Sequence, residues 1–165
     1  MGLIGYDHVS RHPAGSEMND ALSQTPTDIL TGLLDKFARA DACWYGSVRP
    51  EGRVHLAPIW FVWHADAAWV VTQRQAVRAR NLLYNGSVSL ALPDPMNALI
   101  LEGTAEEAPN AVAELRPVFQ EKYDWDIATD QEYTFIVRVQ PVKLLAWGSH
   151  GEGRWRWEDG GWRKA

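Results

Sequence analysis

The sequence has 165 residues, the usual size of one folded domain. Hydrophobic residues make up 46% of the chain and charged residues 22%, with 9 tryptophans, which excludes a disordered or fibrous protein. The net charge of -5 would repel a phosphate backbone, so no nucleic-acid partner is expected.

Cys43 is the only cysteine, which rules out an intramolecular disulfide and leaves a thiolate zinc site unsupported. The five histidines show no pair at metal-ligand spacing within one element, so no metal is expected. No run approaches the eighteen or so apolar residues of a membrane span, and the first residues do not have the pattern of an export signal. We therefore expect a cytoplasmic protein without membrane contact.

Residues 1–24 mix Gly, Ser, His, Pro and Asn without periodicity, which predicts a flexible N-terminal arm before one domain over residues 25–165. The run TPTDILTGLLDKFARA then begins at Thr25 with a cap residue, a first-turn proline and an acidic residue at the third position. Its apolar residues recur at helical spacing, so an amphipathic helix opens the domain.

Strand-like runs follow, in the order CWYGSVR, VHLAPIWFVW, AWVVT, SVSLAL, ALILEGTAEEA, YTFIVRV with VKLLAW, and RWRW. The segment after Thr72 changes to helical spacing, and a further helix is predicted over residues 110–123. About six strands joined by hairpins, with two or three short helices, favour a closed antiparallel barrel over parallel βαβ units.

The segment VVTQRQAVRARNLL contains the clearest candidate binding residues. A strand ends at Thr72, and Arg74, Arg78 and Asn81 follow at spacings that would place them on one helical face. Hydroxyl, guanidinium and backbone N–H groups in this arrangement suit a phosphate. A solvated helix face without any ligand is the alternative.

Pro58 is the second indication of a site, because it lies inside the apolar run VHLAPIWFVW and cannot donate to a strand ladder. This strand is therefore expected to lie at the edge of the sheet or to contain a β-bulge. Ala57, Ile59 and Trp60 would there be free to contact a planar heterocycle. An edge strand that faces only water is an equally good interpretation.

The order and spacing of VRPEGRVHLAPIWFVW, WVVTQRQAVRARNLLYNGSVSLAL and LILEGTAE resemble the pyridoxine 5′-phosphate oxidase-like family of flavin and deazaflavin enzymes, over residues 27–147. The resemblance implies a mainly β fold, a six-stranded antiparallel split β-barrel with peripheral helices. It also implies phosphate-binding roles for Thr72 and Arg78, and a strand from His55 to Trp60 that lies along the isoalloxazine ring. The site is built between two subunits in the family, so a homodimer is implied.

Two departures from the family pattern affect the choice of cofactor between FMN and the deazaflavin coenzyme F-420. Ala76 and Val77 stand where the true oxidases have a Ser-Arg pair, and His55 stands where they have an arginine. These changes weaken an FMN-phosphate clamp and disfavour pyridoxine phosphate as substrate. F-420 has a longer anionic tail, which Arg74 and Arg80 could meet.

The expected function is hydride transfer from a reduced flavin or deazaflavin to a small conjugated acceptor, a small-molecule substrate. No catalytic side chain is named, because in such reactions the cofactor performs the chemistry. A non-catalytic flavin- or haem-binding storage or sensor protein of the same fold is the main alternative, and a tryptophan-rich carbohydrate-binding module is another.

The tryptophans divide into two predicted groups. Trp44, Trp63 and Trp69 alternate with strand neighbours and are expected in the core. Trp147 and Trp155 are the expected pocket residues.

Overall fold

A computed structural model describes residues 25–165, and the predicted N-terminal arm, residues 1–24, lies outside the described residues. The described part contains three α-helices, α1 (Pro26–Arg39), α2 (Val77–Leu82) and α3 (Val112–Tyr123). None of the helices in this part is both long and apolar enough to cross a membrane. The same part contains nine strands: β1 (Cys43–Val48), β2 (Val54–Ile59), β3 (Val62–His64), β4 (Ala67–Thr72), β5 (Ser87–Ala91), β6 (Leu99–Glu107), β7 (Phe135–Ala146), β8 (Gly153–Glu158) and β9 (Gly161–Lys164).

Helix α1 begins as the sequence predicts. The Thr25 hydroxyl accepts from the Asp28 backbone N–H at 3.2 Å, and the Asp28 carboxylate accepts from the Thr25 N–H at 3.0 Å. This reciprocal capping box satisfies two backbone donors that have no partner inside the helix. One face of α1 then buries Leu33 and Phe37 against the sheet.

All nine strands form one antiparallel sheet in the order β2-β1-β5-β6-β7-β4-β3, with β8 added between β7 and β9. The expected mainly β architecture with short helices is confirmed. The predicted run RWRW forms β8, and two further short strands, β3 and β9, are additional to the predicted runs. Strand β3 arises because the run VHLAPIWFVW breaks between Ile59 and Val62, and β9 arises because the chain turns back after β8 and pairs with it as a hairpin.

A register shift opposite Glu102 and Gly103 of β6 leaves Val142 of β7 without a partner, which is the pattern of a β-bulge in β7. A Cβ atom on Gly103 would lie 2.7 Å from the Gln140 carbonyl oxygen, so only glycine allows this close approach of the two strands. A bulge of this kind bends its strand and helps the long β6–β7 pair to curl around the core.

The inner side of the curled sheet encloses the main core. Its fully buried side chains include Tyr45, Leu90, Leu101 and Leu144, and α1 adds Phe37.

A second core lies on the outer side of β3, β4 and β7. There α3 packs Leu115 and Phe119 onto Val62, Trp69 and Ile136. We call this region the covered face.

The outer side of β1 and β2 has a different environment. Cross-strand pairing aligns Trp44 with Pro58, Gly46 with Leu56, and Val48 with Val54, so these residues share one side. Trp44 is 41% exposed, Leu56 60% and Val54 73%. We call the surface formed by Trp44, Val54, Leu56 and Pro58 the uncovered face.

Candidate functional site

A cavity of about 710 Å³ opens where the end of β2 meets α2 and the end of α3. This volume is within the range of small-molecule and cofactor sites. The loop that follows α3, residues 124–134, closes one side. The lining residues are Ala42, Pro58, Ile59, Trp60, Val71, Arg78, Tyr123, Asp124, Trp125, Asp130 and Tyr133.

Arg78 supplies the positive charge in this lining. Its Nη1 donates to the hydroxyl of buried Thr72 at 2.8 Å, which fixes the guanidinium across the end of β4. Its Nε is buried and has no partner within the described residues. Burial lowers the pKa of Arg78, while the phenols of Tyr45 and Tyr133 act in the opposite direction. A held guanidinium with an unsatisfied donor is suited to an anion.

His55 lies close to the same charge, on the inner side of β2. It is paired across the strands with Ser47, whose hydroxyl accepts from the Asn81 amide at 2.9 Å. The His55 Nδ1 is buried without a partner in the part of the chain described. Its pKa is lowered by burial first and then by Arg49 and Arg78. Burial and these positive neighbours therefore favour the neutral form of the imidazole.

Aromatic rings form the opposite wall of the cavity. Trp60 stacks on Tyr123 with ring centroids 4.7 Å apart and planes 1° from parallel. Trp125 meets Trp60 edge-on at 6.2 Å and Tyr133 edge-on at 5.7 Å. The wall therefore continues from Trp60 through Trp125 to Tyr133, near Arg78. Trp60 is 52% exposed, so part of its indole is available to a ligand.

The Trp60 ring is positioned by a polar clamp on its neighbour Phe61. The Tyr123 hydroxyl accepts from the Phe61 N–H at 3.0 Å and lies 2.6 Å from the Phe61 carbonyl oxygen. The Lys122 ammonium donates to that carbonyl and to the Ala38 carbonyl, both at 2.9 Å. Burial raises the pKa of Tyr123 to about 12 and lowers the pKa of Lys122. The clamp ties the end of α3 to the break between β2 and β3.

Two carboxylates also line the cavity. Asp124 ends α3 in the left-handed conformation, with φ 51°, and accepts from the Gln120 amide at 2.6 Å. Asp130 accepts from the Trp125 indole N–H at 2.9 Å and from the Tyr133 backbone N–H at 2.8 Å. The Tyr133 bond is the main cause of the lowered pKa of Asp130, so this carboxylate is ionised at neutral pH.

The predicted site residues are only partly brought together. Pro58, Ile59, Trp60 and Arg78 line the cavity, and Thr72 holds Arg78. Pro58 lies on β2, an edge strand of the sheet, as the sequence required.

The other predicted residues have different surroundings. Asn81 is buried and bonded to Ser47, and Ala57 pairs across the strands with core residue Tyr45. The expected common helical face of Arg74 and Arg78 is wrong, because α2 begins only at Val77. Arg74 instead pairs with Glu107 at 2.8 Å and does not line the cavity.

The predictions for the tryptophans are partly wrong, because successive residues of a strand point to opposite sides of the sheet. Trp69 lies in the second core at 6% exposure and Trp63 packs against the main core, but Trp44 points outward because its neighbours on β1 point inward. Trp155 is 2% exposed and fills the core, since the arginines on either side of it point outward. Trp147 is exposed and does not line the cavity.

The aromatic wall was not predicted from the sequence. Tyr123, Trp125 and Tyr133 lie at a helix end and in an irregular loop, where no periodicity marks them. The only available signal was their density, with three aromatic residues within eleven positions after a predicted helix.

The model of the pyridoxamine 5′-phosphate oxidase family matches residues 31–148, and the chain belongs to this family. A search of curated protein sequences returned no significant match. The matched residues cover almost the same part of the chain as the resemblance, which extends over residues 27–147.

Several solved structures have the same fold. An F420 reductase has 19% identity and a TM-score of 0.56, covering 71% of this chain and 96% of its own. HutZ, the heme storage protein from Vibrio cholerae, has 20% identity and a TM-score of 0.57, covering 76% and 98%. A heme binding protein from Mycobacterium smegmatis has 17% identity and a TM-score of 0.63, covering 75% of this chain and 55% of its own.

Proposed function

We propose that this protein is a flavin- or deazaflavin-dependent oxidoreductase that transfers a hydride to a small conjugated acceptor. The observation that favours this function is the buried, unpartnered Arg78 Nε in an aromatic-lined cavity, with a second unpartnered nitrogen, His55 Nδ1, close enough to Arg78 to feel its charge. Buried polar nitrogens without partners cost free energy unless a ligand satisfies them.

The residues present fit an anionic, planar cofactor. Arg78, held by Thr72, would bind its phosphate, and the end of β2 at Pro58, Ile59 and Trp60 would lie along its ring. FMN or F-420 would supply the hydride chemistry when bound. The protein's own contribution is to bind, orient the ring and exclude water from one side of the cavity.

We also propose that the active species is a homodimer formed through the uncovered face. This face places exposed Trp44, Val54 and Leu56 together, and such an apolar surface is typical of an interface. Pro58 belongs both to the uncovered face and to the cavity lining, so a second subunit docked there would border the cavity. The compartment we propose is the cytoplasm.

Separate absorption titrations with FMN, F-420 and haem test the cofactor. We expect F-420 to bind more tightly than FMN, because Ala76 and Val77 supply no side-chain donors to a terminal phosphate. The affinity for F-420 should also fall more steeply with salt, since more screened charge pairs contribute. Tighter binding of FMN would reverse the preference, and failure of both cofactors to bind would overturn the proposed function.

Arg78→Ala should weaken cofactor binding about ten- to hundredfold, because a charge-assisted hydrogen bond worth about 1.5–3 kcal/mol is lost. Arg74→Ala is the matched control for FMN, since Arg74 is paired with Glu107 outside the cavity. With F-420 the same variant tests whether Arg74 meets the longer tail. Unchanged FMN affinity in Arg78→Ala would mean that the phosphate binds elsewhere.

A haem-binding storage or sensor protein is the second candidate, because similar structures include proteins named for heme. The described lining of the cavity contains tyrosines but no histidine or cysteine, so Tyr133 is the side chain there most available to an iron. A Soret band that shifts in Tyr133→Phe would support this candidate. Oxidation of the bound reduced cofactor by added acceptors would support the enzyme.

A further inference from the structure

The two ends of the cavity have opposite charge. The Arg78 end contains the buried, unpartnered Nε and adjoins Tyr133. At the other end, beyond Trp125, Asp124 directly follows Tyr123, the ring on which Trp60 stacks. The cofactor ring proposed to lie along Pro58, Ile59 and Trp60 would therefore share this end of the cavity with a second molecule, which is where a hydride acceptor has to bind.

The carboxylates of the cavity are not neutralised by the protein. Within residues 25–165, neither Asp124 nor Asp130 forms an ion pair. Asp126 in the same loop provides the contrast, because it pairs with Arg116 at 2.6 Å and does not line the cavity. The Lys122 ammonium donates to two backbone carbonyls and lies 5.3 Å from the centroid of the Tyr123 ring, so its positive charge opposes part, but not all, of the charge of the two carboxylates. The Trp60 end thus combines negative charge with aromatic surface.

We propose that the Trp60 end of the cavity binds a planar heteroaromatic cation, which would be the acceptor class in the hydride transfer proposed above. The indole of Trp60 offers a flat surface, and tryptophan has the strongest attraction of the aromatic side chains for a cation. The Asp124 and Asp130 carboxylates add a longer-range attraction for positive charge. The role as acceptor rests on the proposed function, whereas the binding of the cation does not.

Three bicyclic probes of nearly the same shape separate charge from stacking: N-methylquinolinium, neutral quinoline and quinoline carboxylate. Their dissociation constants are measured by calorimetry at about pH 8, on the full chain with and without the cofactor that the titrations identify. We expect the cation to bind about three- to tenfold more tightly than quinoline and the anion most weakly. The preference should shrink as salt is added.

Asp124→Asn removes the charge while keeping a residue type that tolerates the left-handed conformation. It should lower the preference for the cation about two- to fivefold, because Asp124 is exposed and its charge is screened. Glu121→Gln is the matched control: it removes one negative charge from α3, outside the lining of this cavity, and should leave the preference unchanged.

Trp60→Leu should weaken quinolinium binding about five- to thirtyfold, and Trp60→Phe should weaken it less, because a ring remains. Circular dichroism of each variant confirms that the sheet is intact. Equal binding of quinoline and quinolinium by the wild type, or a preference that is unchanged in Asp124→Asn, would overturn the proposal even when cofactor binding is normal. Selective quinolinium binding by a chain that binds no flavin would instead support the cation site and overturn only its role as an acceptor site.

Discussion

The covered and uncovered faces are two halves of the same outer surface of one sheet. On the covered face, α3 lies over β3, β4 and β7, and Trp69 is 6% exposed. On the uncovered face, no described element lies over β1 and β2, and Trp44 is 41% exposed although it is also a strand tryptophan. The difference teaches that a strand's own sequence shows which residues share a side, but not whether anything covers that side.

The largest expected effect concerns the covered face. Phe119→Ala removes a fully buried ring between α3 and the sheet, and should lower the free energy of unfolding by about 3–5 kcal/mol. Urea denaturation measures the change, with Glu121→Ala, an exposed residue of α3, as the control. A loss below about 1 kcal/mol would mean that α3 contributes little to the fold.

The uncovered face is tested by Leu56→Asp. If a second subunit covers Leu56, a carboxylate there should weaken dimerisation by about 2 kcal/mol or more, roughly thirtyfold. Sedimentation equilibrium measures the association, and the unfolding temperature of the wild type should rise with protein concentration. Met96→Asp alters another exposed apolar residue, in the turn before β6, and is the control. A wild-type chain that remains monomeric would remove the proposed interface.

The next prediction concerns His55, on the inner side of β2, and its effect on how cofactor affinity depends on pH. His55 has a lowered pKa in the free protein, and a bound phosphate would raise that pKa by opposing the positive neighbours. Binding then takes up a proton, so affinity should rise as the pH falls from about 8 to about 6, by up to about tenfold for each pKa unit gained. Cofactor affinity is measured against pH for the wild type and for His55→Asn, and the difference between the two profiles is the contribution of His55. Parallel profiles for the two proteins would place the phosphate away from His55.

The smallest expected effect concerns a solvent-exposed ion pair that belongs to neither the covered nor the uncovered face. Arg74 and Glu107 are 2.8 Å apart, but the Arg74 side chain is 62% exposed, so its charge is well screened. Arg74→Ala should change the free energy of unfolding by less than about 1 kcal/mol. A larger loss in urea denaturation would show that its contact with the Phe135 ring also matters.

Local signals in the sequence predicted much of the fold. The capping box at Thr25 and Asp28 marked the start of α1, and the helix predicted over residues 110–123 is α3, Val112–Tyr123. The β8–β9 hairpin was missed, although its turn contains Asp159-Gly160, a pair that favours the left-handed conformation and that occurs here with φ of 51° and 73°.

The site was less predictable because it depends on long-range packing. The neighbouring residues in the sequence were enough to indicate Arg78 and Pro58 as site residues. The position of Arg74 could not be predicted in this way, because it depends on where α2 begins. The stack of Trp60 on Tyr123 joins residues 63 positions apart, and only the packing of α3 on the sheet brings them together. No spacing rule along the chain could have indicated that contact.

The clamp on Phe61 has a consequence for the order of folding. Its hydrogen bonds join Phe61, Tyr123 and Asp41, across 62 and 82 positions of the chain. To form such distant contacts the chain has to close long loops, and this lowers its entropy before the contacts stabilise it. The clamp should therefore form after the folding transition state. Tyr123→Phe, which removes the hydroxyl but keeps the ring, should therefore speed unfolding while leaving the folding rate almost unchanged. The wall of the cavity would then be among the last parts of the molecule to become ordered.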